Sequence, residues 1–370
     1  MRPAHLLIDL EAIRHNLRSV RGLVGEGANV IAVVKADGYG HGAVPVARAS
    51  VEAGADMLAV ALLEEGIELR QRGLMEDILV MGAMLPEQAS ELVRWNLTPA
   101  VMEFELALAL SKAATAQGKT VSAHLKVDTG MSRLGARLED APKLAGKLAP
   151  LPNIRWQGIF SHLADPTDGA GFTAFQASNF RSIIGPVETI LGPIPYHHLC
   201  SSAGICLYPE CYFTAVRPGE MLYGLVAGVP DDKMPDLCEA MSLHTRIAFL
   251  KHVESGDKVS YGCTWEAPYD TTLAIVPIGY ADGYPRSLSG VAEVLIGGKR
   301  HPVVGRVCMD CIIVDLGPDA QHGIGEPVVV FGTQGDEEVR ISEISTLGGT
   351  INQEIVARMG SRLPRVYSNV

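Results

Sequence analysis

The stretch NVIAVVKADGYGHGAVPVARASVEAGADMLAVALLEEGIELRQRG, residues 29–73, repeats one pattern twice. The apolar run NVIAVVK precedes AVPVARASVEAG, whose apolar residues recur three or four apart, and MLAVALL precedes EEGIELRQRG in the same way. Short apolar runs read as buried strands, and the three-to-four spacing reads as helix. Working outward, DILVMG, TPAVM, SAHLKVD, WQGIFSHL, YHHLCSS and TAVRPGE extend the strand series, with EQASELVRW, EFELALALSKAATAQG and FTAFQASNFRSIIGPVETIL as further helical patterns. Repeated strand-then-helix units imply a parallel sheet covered by helices, and eight of them predict a closed (β/α)8 barrel of the α/β class. The last connection, GICLYPECYF, is short and poorly helical.

The character changes after about residue 240. SLHTRIAFLKHV, DKVSYGCTW, TTLAIVPIGYA, AEVLIGG, RHPVVGRVCMDCIIVDL and EPVVVFG are β-branched runs between Gly, Asp and Pro turns, which predicts a mainly antiparallel β domain. A polar linker, DDKMPD, spans 231–236. The expected domains are therefore a barrel over 9–236 and a β domain over 237–370, with residues 1–8 available to pair with the second. A helical pattern, ISEISTLGG then INQEIVARMG, is expected to close the chain.

Composition narrows the function classes. A formal charge of −11 repels duplexes and anionic membranes, and no basic run tracks phosphates, so nucleic acid is not an expected partner. Asp9, Glu11 and Arg14 interrupt the first apolar stretch, and no apolar run reaches membrane-spanning length, so a cytoplasmic protein is expected. The seven cysteines are odd in number and all lie in the second half, a usage expected of reduced, mostly buried thiols. Cys308 and Cys311 have C-x-x-C spacing, but they lie inside what reads as one continuous strand and lack a second ligand pair, so no metal site is expected.

In a barrel of this kind, reactive groups come from the C-terminal ends of strands and the loops after them. Lys35 directly follows five apolar residues. Such a lysine commonly carries its ammonium out to water, yet desolvation there also lowers an amine's pKa and makes it a nucleophile. Lys126, Arg133, His162, Ser202 and Arg217 fall at or just after other strand ends. A local cationic rim in an acidic chain points to a small anionic ligand, such as a phosphorylated cofactor.

The motif VVKADGYGHG around Lys35 resembles the cofactor-lysine segment of the alanine racemase family. KVDTGMSRLG, RPGEMLYG, VSYGCTW, IGYADGYPR and VGRVCMD resemble further segments of that family in the same order, so the similarity spans both domains. It implies an isomerase, dependent on pyridoxal 5'-phosphate, that interconverts L- and D-alanine with two opposed bases. Lys35 would hold the cofactor and act on one face, and Tyr261 would act on the other. A phenol needs positive neighbours to serve as a base, because its ordinary pKa is about 10. The resemblance supplies them as His162 and Arg217, the latter also facing the pyridine nitrogen. Tyr39, Ser202 and the amides of Gly219 and Glu220 would hold the phosphate. Arg133 and the Met309 amide would receive the substrate carboxylate. Lys126 would be carbamylated and orient Arg133, with Tyr280, Asp310 and Gln353 in support. Tyr261 and Met309 would come from a second subunit, giving a homodimer with composite sites.

One departure stands out: Gln353 occupies a position where the family commonly has tyrosine. The smaller amide predicts some serine racemisation beside alanine. The rival functions are a decarboxylase of the same architecture, which should lack a base at Tyr261, and a non-catalytic pyridoxal-phosphate-binding protein, which should not need residues 240–370.

Overall fold

In a computed structural model, which describes residues 2–369, the first compact unit comprises residues 12–38 and 43–238. Its eight parallel strands are Asn29–Val33, Met57–Val60, Ile78–Val80, Thr98–Val101, Val121–Asp128, Ile154–Phe160, Tyr196–Ser201 and Ala215–Arg217. Each pairs with the next in sequence, and Ala215–Arg217 pairs back onto Asn29–Val33 to close the barrel. All eight apolar runs read from the sequence are these strands. They read clearly because both faces are covered, so their burial is nearly continuous rather than alternating. The weak eighth connection is a six-residue helix, Ser202–Leu207, followed by a single tight turn at Pro209–Cys211.

Among the described residues the second unit comprises 2–11, 39–42 and 239–369. Its larger sheet orders the strands Lys299–Pro302, Glu293–Ile296, Pro327–Gln334, Met241–Arg246, His5–Asp9 and Arg365–Ser368. All neighbours are antiparallel except the last pair, where Arg365–Ser368 runs parallel to His5–Asp9. A three-stranded sheet, Phe249–Val253, Thr271–Val276 and Ile312–Asp315, completes it around a core of Val253, Val259, Ala267, Leu273 and Val304.

Four expectations need correcting. The run SLHTRIAFLKHV is two strands in different sheets, broken at Ile247 and Ala248. The chain closes on the strand Arg365–Ser368 rather than on the helices Ile341–Gly348 and Asn352–Ala357. RHPVVGRVCMDCIIVDL is not continuous: its strands are Lys299–Pro302 and Ile312–Asp315, with Cys308 and Cys311 in the turn between them, where the Cys308 N–H donates to the Cys311 carbonyl (3.0 Å). The thiols are all free, but only Cys200 and Cys211 are buried, while Cys238 and Cys263 are exposed. A period-two pattern reports local preference and is blind to a chain that changes sheets.

Candidate active site

Lys35 follows the strand Asn29–Val33 by two residues, at the barrel's C-terminal rim, and is half-buried. Ala36, Asp37 and Gly38 hold φ/ψ of 53/52, 52/47 and 60/45, a short left-handed turn. Such backbone costs about 1–2 kcal/mol for each residue with a Cβ, so it persists only where the surroundings enforce it. Glu65 does this. Its carboxylate accepts the N–H of Ala36 (2.6 Å) and those of Ala61 and Leu62 (2.8 and 3.0 Å), tying the lysine turn to the end of the neighbouring strand. The Asp37 carboxylate accepts the Ala43 N–H (2.9 Å). The sequence reading missed Glu65, although glutamate three residues into a helix commonly reaches back to cap it.

The rim cations lie within electrostatic reach of one another. Burial lowers the Lys35 pKa, and the charge of Arg133 lowers it further, with Glu65 opposing and Arg217 adding to the fall. Lys126, buried on the strand Val121–Asp128 with Nζ 5.0 Å from the Phe160 ring centre, is pushed down to about 8 by burial and then by Arg217, Arg133 and Lys35. Arg133 is exposed in the loop beyond; there the Asp128 carboxylate accepts the N–H groups of Gly130 and Ser132 (2.9 and 3.1 Å).

Arg217 is 2% exposed and carries its charge with no carboxylate among its partners. Its terminal nitrogens donate to the carbonyls of Ser161 (2.7 Å), His198 (2.9 Å) and Leu199 (2.9 Å), and to Nδ1 of His198 (2.8 Å) and of His162 (3.1 Å). A guanidinium only donates, so both histidines accept at Nδ1 and carry their proton on Nε2. Burial, then the Arg217 charge, holds His162 well below the usual histidine range, so it is neutral. Ser202 Oγ accepts the N–H of Gly219 (3.0 Å) and of Met221 (3.2 Å), which leaves its own hydroxyl proton to donate to an incoming anion. Burial raises the Glu220 carboxyl to about 7. Lys35, Lys126, Arg133 and Arg217 thus form one cationic cluster around the neutral His162, with the Ser202–Gly219 pair on the same set of strand ends.

The remaining site residues belong to the second unit. Tyr261 lies on a turn, not on a strand, at the tip of the hairpin formed by Lys258–Val259 and Trp265–Glu266, and is 69% exposed. The reversal starts at Ser260, whose φ is 64 and whose hydroxyl donates to the Arg306 carbonyl (2.8 Å). Met309 is also exposed; its carbonyl accepts the Ala281 N–H (3.0 Å), beside a bond from the Tyr280 N–H to the Cys308 carbonyl (3.1 Å). The approach of these two loops requires glycine at Gly279, where a Cβ would lie 2.4 Å from both carbonyl oxygens. Gln353 is half-buried in the helix Asn352–Ala357, and the Tyr39 carbonyl accepts from His41 Nδ1 (3.0 Å).

Sequence reading also missed Asp282, which is fully buried. Its carboxylate takes both terminal nitrogens of Arg2, the Gly279 N–H (3.0 Å) and Arg362 Nε (3.3 Å), and Arg362 also reaches Asp310 (2.7 Å). Burial would raise this carboxyl, but the bonds from Arg2 and Gly279 and the charges of Arg2 and Arg362 hold it below its usual value. Asp282 thereby braces the Tyr280 and Met309 loops from beneath. Among the described residues no three His, Cys, Asp or Glu side chains converge to hold a metal ion, and no helix is long and apolar enough to cross a membrane.

A closed (β/α)8 barrel with a strained lysine turn on its cationic rim, together with a mainly antiparallel β unit, defines a two-domain barrel class. The comparisons narrow this class. Residues 8–227 match the alanine racemase N-terminal domain and residues 240–367 the C-terminal domain. Curated alanine racemases from Desulforamulus reducens and Symbiobacterium thermophilum are 44% and 40% identical over 97% and 99% of this chain and 97% of each relative. The alanine racemase structure from D-cycloserine-producing Streptomyces lavendulae superposes with a TM-score of 0.95 at 34% identity, covering 100% of this chain and 98% of that one. One from Bacillus anthracis with bound L-Ala-P gives 0.93 at 33%, covering 100% and 96%. This chain belongs to the alanine racemase family and is an isomerase.

Proposed function

We propose that this protein interconverts L- and D-alanine by two-base proton transfer at Cα, with pyridoxal 5'-phosphate held at the barrel rim. The observation that carries this reading is the rim itself: an amine of lowered pKa beside a buried guanidinium whose five acceptors include no carboxylate. Such a donor set fits a phosphorylated aldehyde, which offers an anion to the cations and a carbonyl to the amine. When bound, the group supplies the electron sink that makes the substrate's Cα proton acidic.

The protein's own residues do the rest. Lys35 holds the cofactor covalently and carries the Cα proton on one face. Tyr261, exposed at its hairpin tip, carries it on the other and is supplied by a second copy of the chain, so that each site of a homodimer is composite. Arg217, which can only donate, would face the cofactor's ring nitrogen and leave it unprotonated, so that the bound group would favour racemisation over transamination. Ser202, Tyr39 and the amides near Gly219 and Glu220 hold the phosphate, while Arg133 and Met309 hold the substrate carboxylate. Lys126, with a pKa of about 8, has roughly a tenth of its amine free at pH 7. That amine takes up carbon dioxide, releases a proton and becomes a carbamate, which pairs with Arg133. Seven free thiols suit a reducing compartment such as the cytoplasm.

The test is to supply the purified protein with pyridoxal 5'-phosphate and L-alanine and to follow D-alanine by chiral chromatography. Formation of D-alanine that disappears in Lys35→Ala supports the reading. Cofactor absorbance without D-alanine overturns it.

A further inference from the structure

Barrels of this type are usually filled by branched aliphatic side chains. Here the interior beneath Arg217 is polar. His198 Nε2 lies 2.9 Å from His124 Nδ1, and both rings are fully buried. Gln157 raises the His124 pKa slightly against the effect of burial, and His124 Nε2 and Gln157 Oε1 are both buried atoms without a hydrogen-bond partner. Gln157 Nε2 in turn donates to Asp77 (2.6 Å). Asp77 immediately precedes the strand Ile78–Val80, at the barrel end opposite Arg217, and lines a cavity of about 280 Å³ with Thr98, Thr120, Ser122 and Arg155.

Donor logic orients the whole chain. Arg217 donates to His198 Nδ1, so the neutral His198 has its proton on Nε2 and passes it as a donor to His124 Nδ1. His124 therefore has its proton on Nε2, which leaves this buried donor and the buried acceptor Gln157 Oε1 as the two unpaired atoms of the series, while the Gln157 amide donates to the Asp77 carboxylate. Burial keeps both rings uncharged, with His124 pushed down to about 3 and His198 well below its usual range. The three hydrogen bonds, Arg217 to His198, His198 to His124 and Gln157 to Asp77, all point from the cation toward the anion, an arrangement in which each polarises the next. The rings are clamped as well. His198 stacks on Phe160 with centroids 4.7 Å apart and planes 6° apart, and Gly158 is required because a Cβ there would lie 2.3 Å from His124 Nδ1.

We propose that Asp77, Gln157, His124 and His198 form a one-directional hydrogen-bond relay through the barrel that positions Arg217 and couples its charge to a carboxylate at the opposite end. His198 and the residues behind it are positioning residues that act through Arg217. The proposal takes Arg217 as a site residue, but its first test does not depend on catalysis.

The decisive measurement is the ¹⁵N spectrum of histidine-labelled holoenzyme. Both His198 and His124 are expected as neutral rings protonated on Nε2; a proton on Nδ1 of either ring overturns the relay. The second arm compares variants that melt cooperatively. His198→Phe, which keeps the stack and loses the acceptor, is expected to lower kcat by at least about tenfold with KM little changed, and His198→Asn, which restores an acceptor near Nδ1, to lose several-fold less. Asp77→Asn is expected to shift both histidine signals and lower kcat several-fold. Equal losses in the two His198 variants, or histidine signals unmoved in Asp77→Asn, also overturn it.

Discussion

The barrel rim and the loops of the β unit place the residues proposed for catalysis in opposite ways. At the rim, Lys35, Lys126 and Arg217 are partly or wholly buried; burial lowers all three pKa values, and the Arg217 charge lowers those of both lysines further. In the β unit, Tyr261 and Met309 are 69% and 53% exposed and owe their position to tight turns braced from below by Asp282. The rim residues are thus poised within one chain. The loop residues are presented outward.

The largest expected effect bears on the rim. Lys35→Ala should lower kcat by at least about 10³-fold, the scale of removing a covalent and general-base group, with an unchanged melting curve. A parallel fall in melting temperature would show that the lysine is structural. The contrast between buried and presented groups is broken or kept by mixing inactive Lys35→Ala with inactive Tyr261→Phe and allowing subunits to exchange. Composite sites predict recovery of about a quarter of the wild-type rate, because half the dimers are mixed and each has one intact site. No recovery would mean that each chain completes its own site.

Asp282→Asn leaves Arg2 and Arg362 facing a neutral amide. It should destabilise the protein by about 2–4 kcal/mol in urea titrations, the scale of breaking a buried ion pair. A loss under 1 kcal/mol would show that the loops do not depend on this brace. A pH effect probes Glu239, a half-buried carboxyl of the β unit. Burial pushes Glu239 up to about 7, with the charge of Glu338 adding to the rise. The unfolded chain loses this proton near pH 4.5 and the folded chain only near 7, so Glu239 progressively destabilises the fold as pH rises between them. Glu239→Gln, which can still accept the Ile341 N–H, should be near-neutral at pH 4.5 and stabilising by about 1–2 kcal/mol at pH 8. An equal effect at both pH values would refute the shift. The smallest change is Gln353→Tyr, expected to lower the serine-to-alanine rate ratio by about three- to tenfold, the scale of one hydrogen bond. An unchanged ratio would remove Gln353 from substrate selection.

The barrel was legible because buried parallel strands are continuous apolar runs bounded by helical periods, a local signal that tertiary context does not reverse. Lys35 stood out for a related reason, as a charge set directly against such a run. Tyr261 was legible only through the family motif VSYGCTW, since a tyrosine in a β-branched stretch has no local mark of function. His124 and His198 were read simply as strand residues, and Glu65 and Asp282 went unnoticed. Their partners lie far away in sequence, His198 being 74 residues from His124 and Asp282 280 residues from Arg2.

By itself, then, the sequence determined the fold class, the change of character near residue 240, the position of Lys35 at a strand end and the family. Tertiary structure alone decided that Arg217 has no carboxylate partner, that its histidine neighbours are neutral and aligned, that Tyr261 sits at a hairpin tip, and that the chain ends in a strand beside its beginning. The division has a physical basis. Burial periodicity and turn chemistry are properties of neighbouring residues, whereas desolvation, charge pairing and hydrogen-bond direction depend on groups that meet only once the chain has folded.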